Sequence, residues 1–139
     1  MLVFGTGDGY VVALDPDKNG SLVWKTKVTN GKNDIRWGGA SDGANAYYGL
    51  GDQPGGMVAI RLATGERIWV ANFNNNREVS NRAAATAIPG VVFIGGTDGK
   101  LHALTTEDGH QIWEYDTARE YSTVNKIPGH GGSMAAPGP

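Results

Sequence analysis

One pattern recurs three times along this chain at a nearly constant interval. Gly9-Tyr10-Val11-Val12-Ala13-Leu14, Gly55-Gly56-Met57-Val58-Ala59-Ile60 and Gly99-Lys100-Leu101-His102-Ala103-Leu104 superpose, and each is followed by a Gly and then a Trp. The Ala markers are spaced by 46 and 44 residues, the Gly markers Gly20, Gly65 and Gly109 by 45 and 44, and Trp24, Trp69 and Trp113 by 45 and 44. A period in this range constrains architecture more than any local propensity, because each repeat is one supersecondary unit that buries its apolar face against its neighbours.

Within a repeat the apolar residues follow the logic of strands. Val91-Val92-Phe93-Ile94, Lys100-Leu101-His102-Ala103-Leu104 and Gln111-Ile112-Trp113-Glu114-Tyr115 are short runs separated by Asp98-Gly99 and Asp108-Gly109. Asp-Gly between such runs signals a hairpin, since the tight turn needs positive φ. The clearest copy predicts strands over 83–88, 91–95, 100–105 and 111–115. Four-stranded units of this length, repeated, are the blades of a β-propeller. The expected fold is therefore all-β, about three four-stranded antiparallel blades forming an arc of a larger seven- or eight-bladed ring. The predicted division is an incomplete blade over 1–28, blades over 29–72 and 73–115, and a long loop plus the first strand of another blade over 116–139. That last strand is expected at Gly132 to Pro137, and the remaining blades are an expected partner.

Composition excludes several function classes. A net charge of -2, with 12 Lys and Arg against 14 Asp and Glu, gives no basic footprint for nucleic acid. No apolar stretch approaches the length of a membrane span, and the first residues do not read as a secretory signal. The absence of Cys removes thiolate chemistry, disulfides and covalent haem attachment within this stretch.

A meander turns alternately at its two ends, so the loops sort onto two faces. Tight turns at Asp42-Gly43, Pro89-Gly90, Asn19-Gly20, Thr64-Gly65 and Asp108-Gly109 share one face. The other carries the long connections over 29–36, 73–82 and 116–131, with the turns near Asp8, Asp52 and Asp98. Function concentrates on loops held by a rigid scaffold, and the long connections feed innermost strands. This selects Trp37, Arg82 and the stretch from His130 to Ser133.

The stretches Ala59 to Trp69 and Ala103 to Trp113 resemble the Ala-x5-Gly-x3-Trp repeat of quinoprotein (pyrroloquinoline quinone, PQQ) propellers. The first copy departs by one extra residue between Ala13 and Gly20. The resemblance implies that Trp24, Trp69 and Trp113 each dock on a neighbouring blade. Arg36-Trp37-Gly38-Gly39, a turn at Asp42-Gly43, and Tyr47-Tyr48-Gly49-Leu50-Gly51-Asp52 are similar to a segment of PQQ alcohol dehydrogenases, where Trp floors the quinone and Asn ligates Ca²⁺. On that resemblance Trp37 and Gly38 are cofactor-binding, and Asp52 is both a cofactor contact and the metal ligand. The residues alone also allow Trp37 as a packed inner-strand aromatic and Asp52 as a turn residue. Thr123 to Ser133 resembles the polyvinyl-alcohol-dehydrogenase-like branch and adds Asn125 and His130, with Arg82, to the cofactor set. A loop His capping a turn is the alternative for His130. His102 and His110 read as packing or solvated residues.

The resemblance implies oxidation of an alcohol or polyol by hydride transfer to PQQ with Ca²⁺, in the periplasm, with an acceptor such as cytochrome c. A haem c domain would lie outside this chain. Departures weigh against it. The connection where those enzymes carry a catalytic Asp reads Asn74-Asn75-Asn76-Arg77-Glu78, leaving Glu78 as the catalytic candidate, and no cation precedes Asp98-Gly99. The alternative is a non-catalytic propeller serving as a protein-binding or assembly scaffold.

Overall fold

The computed structural model describes residues 1–29, 35, 37–75 and 78–135. It is built almost wholly of antiparallel strands. Strands β1 (Leu2–Gly5), β2 (Tyr10–Asp15) and β3 (Ser21–Lys27) form one sheet in the order β1-β2-β3. Next come β4 (Ala40–Ser41), β5 (Asn45–Gly49), β6 (Met57–Arg61) and β7 (Arg67–Ala71), a four-stranded sheet in chain order. A second four-stranded sheet follows from β8 (Thr86–Ile88), β9 (Val91–Gly95), β10 (Lys100–Thr105) and β11 (Gln111–Asp116). A separate hairpin pairs β12 (Glu120–Ser122) with β13 (Pro128–His130). The three larger sheets are consecutive blades of a partial β-propeller.

The repeated Ala and Trp have a register reason. Ala13 faces Trp24, Ala59 faces Trp69 and Ala103 faces Trp113, and in every blade the ladder shifts immediately after that Ala. A small residue opposite the indole leaves room for it, and the bulge that follows bends the strand toward its turn. The extra residue of the first copy is absorbed in that turn. Pro16–Lys18 form a short 3-10 segment, and Asn19 and Gly20 both take positive φ, at 54° and 69°.

Two apolar cores lie between the blades. One joins Val11, Ala13 and Trp24 to Tyr48, Val58 and Ile60. Tyr47, Met57 and Ala59 meet Val92, Ile94 and Leu104 in the other. Neighbours along a strand therefore serve opposite cores, and the middle blade is buried on both faces, which explains the near-continuous apolar runs of β5 and β6. The joints are sealed at their rims by the repeat indoles. Trp24 Nε1 donates to the Leu62 carbonyl at 2.9 Å, and Trp69 Nε1 to that of Thr106 at 3.0 Å. A Cβ on Gly65 or Gly109 would come within 2.6 Å of the Trp24 or Trp69 ring, so both seats require glycine.

Three details differ from expectation. The innermost strand predicted over 83–88 is confined to Thr86–Ile88, because the Ala85 N–H leaves its own sheet and donates to the Gly38 carbonyl at 3.1 Å. The long connection over 116–131 contains the β12–β13 hairpin, whose three-residue strands are too short to show a period. The strand predicted from Gly132 to Pro137 is not formed over 132–135. Met134 N–H is instead held by the Gly96 carbonyl at 3.0 Å, just past the end of β9. The rest of that prediction lies outside the described residues.

Candidate functional site

The face carrying the long connections is held together by buried amides. Asn74 and Asn81 are fully buried, one at each end of the 73–82 connection. Asn74 Nδ2 donates to the Pro54 carbonyl at 2.7 Å and to Asn81 Oδ1 at 2.6 Å, while Asn81 Oδ1 also accepts the Gly56 N–H at 2.8 Å. Asn81 Nδ2 reaches the Gly95 carbonyl at 3.2 Å. One side chain thus pins the turn after β5 to the end of β9 in the next blade. Buried polar groups are stable only when their hydrogen-bonding capacity is met, and here they position the face.

Asp52 begins the turn after β5, which the Gly55 N–H closes onto the Asp52 carbonyl at 2.6 Å. The preceding Gly51 carbonyl accepts from Ser80 Oγ at 2.9 Å, and Ser80 Oγ accepts in turn from Arg82 Nε at 3.2 Å. Ser80 also exchanges two bonds with Thr97, at 3.0 Å each. Asp52 and Arg82, both half-buried, therefore flank one seryl hub.

Trp37 is 40% exposed, although its Nε1 donates to the Ala135 carbonyl at 2.9 Å. The indole is fixed in orientation while a face stays open. Gly38 follows with its carbonyl committed to Ala85, and a Cβ there would meet nothing within 4 Å, as would one on Gly132. An oriented, partly exposed indole followed by a glycine that looks onto open space is a fitting floor for a planar ring system. Arg36 lies outside the described residues.

The remaining expected residues are Asn125, His130 and Glu78. Asn125 is exposed in the turn of the β12–β13 hairpin. His130 is exposed on β13, opposite Glu120, with Nδ1 2.5 Å from the Gly131 carbonyl. Glu78 is exposed on the 73–82 connection. No hydrogen bond among the described residues ties these three to Trp37, Asp52 or Arg82. The described residues also hold no group of three or more His, Asp or Glu side chains placed to bind one metal ion. Ca²⁺ takes about six to eight oxygens, so Asp52 can be only one donor, and a carboxylate suits that role.

One role was not anticipated. The sequence marks Asn74 as standing where an acid would be, yet the structure spends it on packing. His102 is a packing residue of a demanding kind: fully buried, with Phe73 tilted against it at 4.5 Å and Nδ1 3.5 Å from Glu114 Oε2. Burial pulls its pKa below the usual histidine value, against the opposing pull of Glu114 and Asp98. Lys100, the first cation after Asp98-Gly99, pairs with Glu114.

Sheets of this connectivity, joined through repeat indoles, define a β-propeller of the tryptophan-docked class. The chain belongs to the PQQ-repeat family whose model, described as "Outer membrane protein assembly factor BamB", matches residues 7–129. A polyvinylalcohol dehydrogenase of Pseudomonas sp is 36% identical over 99% of this chain, and the chain spans 24% of that relative's length. Among solved structures, quinohemoprotein alcohol dehydrogenase from Comamonas testosteroni superposes with a TM-score of 0.72 at 20% identity, over 84% of this chain and 19% of that one. BamB from Moraxella catarrhalis superposes with a TM-score of 0.66 at 21% identity, over 83% and 32%. At these identities the two structures speak to fold alone.

Proposed function

We propose that this arc forms part of a PQQ-dependent alcohol dehydrogenase-like propeller and supplies the floor of its quinone pocket. The observation that carries the reading is the Trp37 indole, half-open and yet oriented by the Ala135 carbonyl beside the open backbone of Gly38. The 36% identity to a polyvinylalcohol dehydrogenase supports it. Trp37 and Gly38 would hold the ring system from below, Arg82 would offer a cation to its carboxylates, and Asp52 would give one oxygen to Ca²⁺. When bound, the quinone supplies a hydride acceptor for the alcohol carbon. This chain's contribution is to orient that ring and to exclude water beneath it. The hydroxyl proton needs a base, and Glu78 is the acidic side chain on the adjoining connection. Asn125 and His130, on the projecting hairpin, would contact the cofactor or substrate from the side. The working compartment would be the periplasm, the substrate an alcohol or polyol, and the acceptor a cytochrome c.

Calorimetric titration of PQQ in the presence of Ca²⁺ tests the floor directly. Binding that weakens about tenfold in Trp37→Ala, a loss of about 1.4 kcal/mol, is the expected outcome. Equal affinity in the variant would remove Trp37 from the site.

A second reading has its own observation. The position where an acid is expected carries Asn74, buried and bonded to Pro54 and Asn81, which suits a scaffold that binds protein through its long loops. Failure of the wild-type chain to bind PQQ, with retained capture of an outer-membrane assembly partner, would favour that reading.

A further inference from the structure

Ser80 is 4% exposed, and each of its polar atoms is engaged. Its N–H donates to Thr97 Oγ1 and its carbonyl accepts the Thr97 N–H, both at 3.0 Å, so the backbone at Ser80 is clamped to the turn after β9. The hydroxyl has one hydrogen to give. A carbonyl cannot donate and a guanidinium cannot accept, so the direction of both side-chain bonds is fixed: the hydrogen goes to the Gly51 carbonyl at 2.9 Å, and a lone pair receives Arg82 Nε–H at 3.2 Å.

Arg82 is also held at its root. The adjoining Asn81 N–H donates to the Leu50 carbonyl at 2.9 Å, and the Asn81 side chain is bonded to Gly56, Asn74 and Gly95. An arginine stem ordinarily samples many rotamers. Here its Cα end is fixed through Asn81 and its Nε end through Ser80. Nε spends one of the five guanidinium N–H groups. Among the described residues the four on Nη1 and Nη2 make no hydrogen bond. A half-buried cation tethered by Nε, with its fork spared, is prepared for an oxygen anion, because a carboxylate takes parallel N–H bonds from such a fork. Gly51 immediately precedes Asp52, so one serine oxygen links the cation to the turn that carries the carboxylate.

We infer that Ser80 is a positioning residue of the pocket, its hydroxyl holding the Arg82 fork ready for a cofactor carboxylate. This role rests on the quinone-pocket reading above, and the serine acts through Arg82 rather than by touching the cofactor.

Two measurements on the full chain test it. The first is the Nε–Hε signal of Arg82 in a nitrogen–proton NMR spectrum, assigned by its loss in Arg82→Lys. Wild type is expected to show it protected from exchange with water, and Ser80→Ala to lose that protection. Ser80→Ala keeps both backbone bonds to Thr97, and the amide signals of the blade cores report its fold. An unprotected signal in wild type would overturn the positioning role without any variant, and equal protection in Ser80→Ala would overturn it too.

The second is calorimetric titration of PQQ in the presence of Ca²⁺. Ser80→Ala is expected to weaken binding about two- to tenfold, the cost of immobilising one long side chain on binding. Arg82→Lys should weaken it at least as much, and Ser80→Ala/Arg82→Lys should bind no more weakly than Arg82→Lys alone, since residues that act through one another do not add. Additive losses would overturn the role by assigning the effect of Ser80 to its bond with Gly51. Equal affinity in wild type and Ser80→Ala would overturn it and leave the pocket reading standing. A wild-type chain that binds no PQQ would overturn the pocket reading itself, and the cofactor role of Ser80 with it.

Discussion

Trp24 and Trp113 occupy the same repeat position and make the same cross-strand pair with Ala, yet one is 9% exposed and the other 46%. Their own blades hold both on the last strand opposite an Ala. The difference is made by the neighbour, which gives Trp24 a glycine seat at Gly65 and a carbonyl at Leu62, with Thr26 Oγ1 reinforcing the contact through the Gly65 carbonyl at 2.5 Å. A repeat therefore specifies where an indole points, and the following repeat specifies what that indole contributes to stability.

The sharpest way to break this comparison is to truncate both residues. Trp24→Ala is expected to cost about 3–5 kcal/mol, the range for deleting a buried Trp or Phe, seen as a fall in the urea midpoint. Asn81→Ala comes next. It removes a partner from the Gly56 N–H, from the Gly95 carbonyl and from one of the two Asn74 Nδ2 hydrogens in a buried site, and losing such partners costs about 1–3 kcal/mol. The expected signature is faster amide exchange at Gly56 with the blade cores still protected.

A smaller effect comes from His102. Its folded-state pKa lies below the unfolded one, because burial disfavours the cation. Above about pH 6.5 both states are neutral and the residue adds no pH dependence. As pH falls below that value the unfolded chain takes up the proton first, so stability declines until the folded-state pKa is passed. The slope contributed by one group is at most about 1.4 kcal/mol per pH unit. His102→Phe should flatten the stability profile between pH 6.5 and the acid limb, and an unchanged slope would show that His102 titrates normally. Asp42 adds acid sensitivity at lower pH. Burial raises its pKa, but bonds from the Tyr47 hydroxyl and the Asn45 and Ala44 N–H groups outweigh that, and its contribution is lost as pH falls through the lowered value. Smallest is Trp113→Ala, expected within about 0.5 kcal/mol of wild type as for other exposed positions.

What was legible in the sequence was whatever the repeat carries. The three Ala–Trp pairs, the Asp-Gly turns and the apolar runs of β5, β6, β9 and β10 are local, and they place the strands to within a residue or two. The features that escaped are settled between blades. Ala83 to Ala85 read as strand, yet Ala85 bonds to Gly38 in another sheet. Asn74 and Asn81 read as loop formers because Asn favours turns, and only tertiary contacts bury them. The β12–β13 hairpin escaped because a turn with a positive φ at Lys126 instead of a glycine carries no sequence mark. Of the candidate site, Trp37 was selected by its position at the start of an inner strand and Gly38 by the family resemblance, and the Ser80 hub joining Asp52's turn to Arg82 was not.

The bond from Trp37 to Ala135 spans 98 positions of the chain. During synthesis the indole is made early and waits for its carbonyl until two further blades have emerged from the ribosome. The oriented platform is therefore complete only once residue 135 has reached its place, so its order depends on a long-range contact.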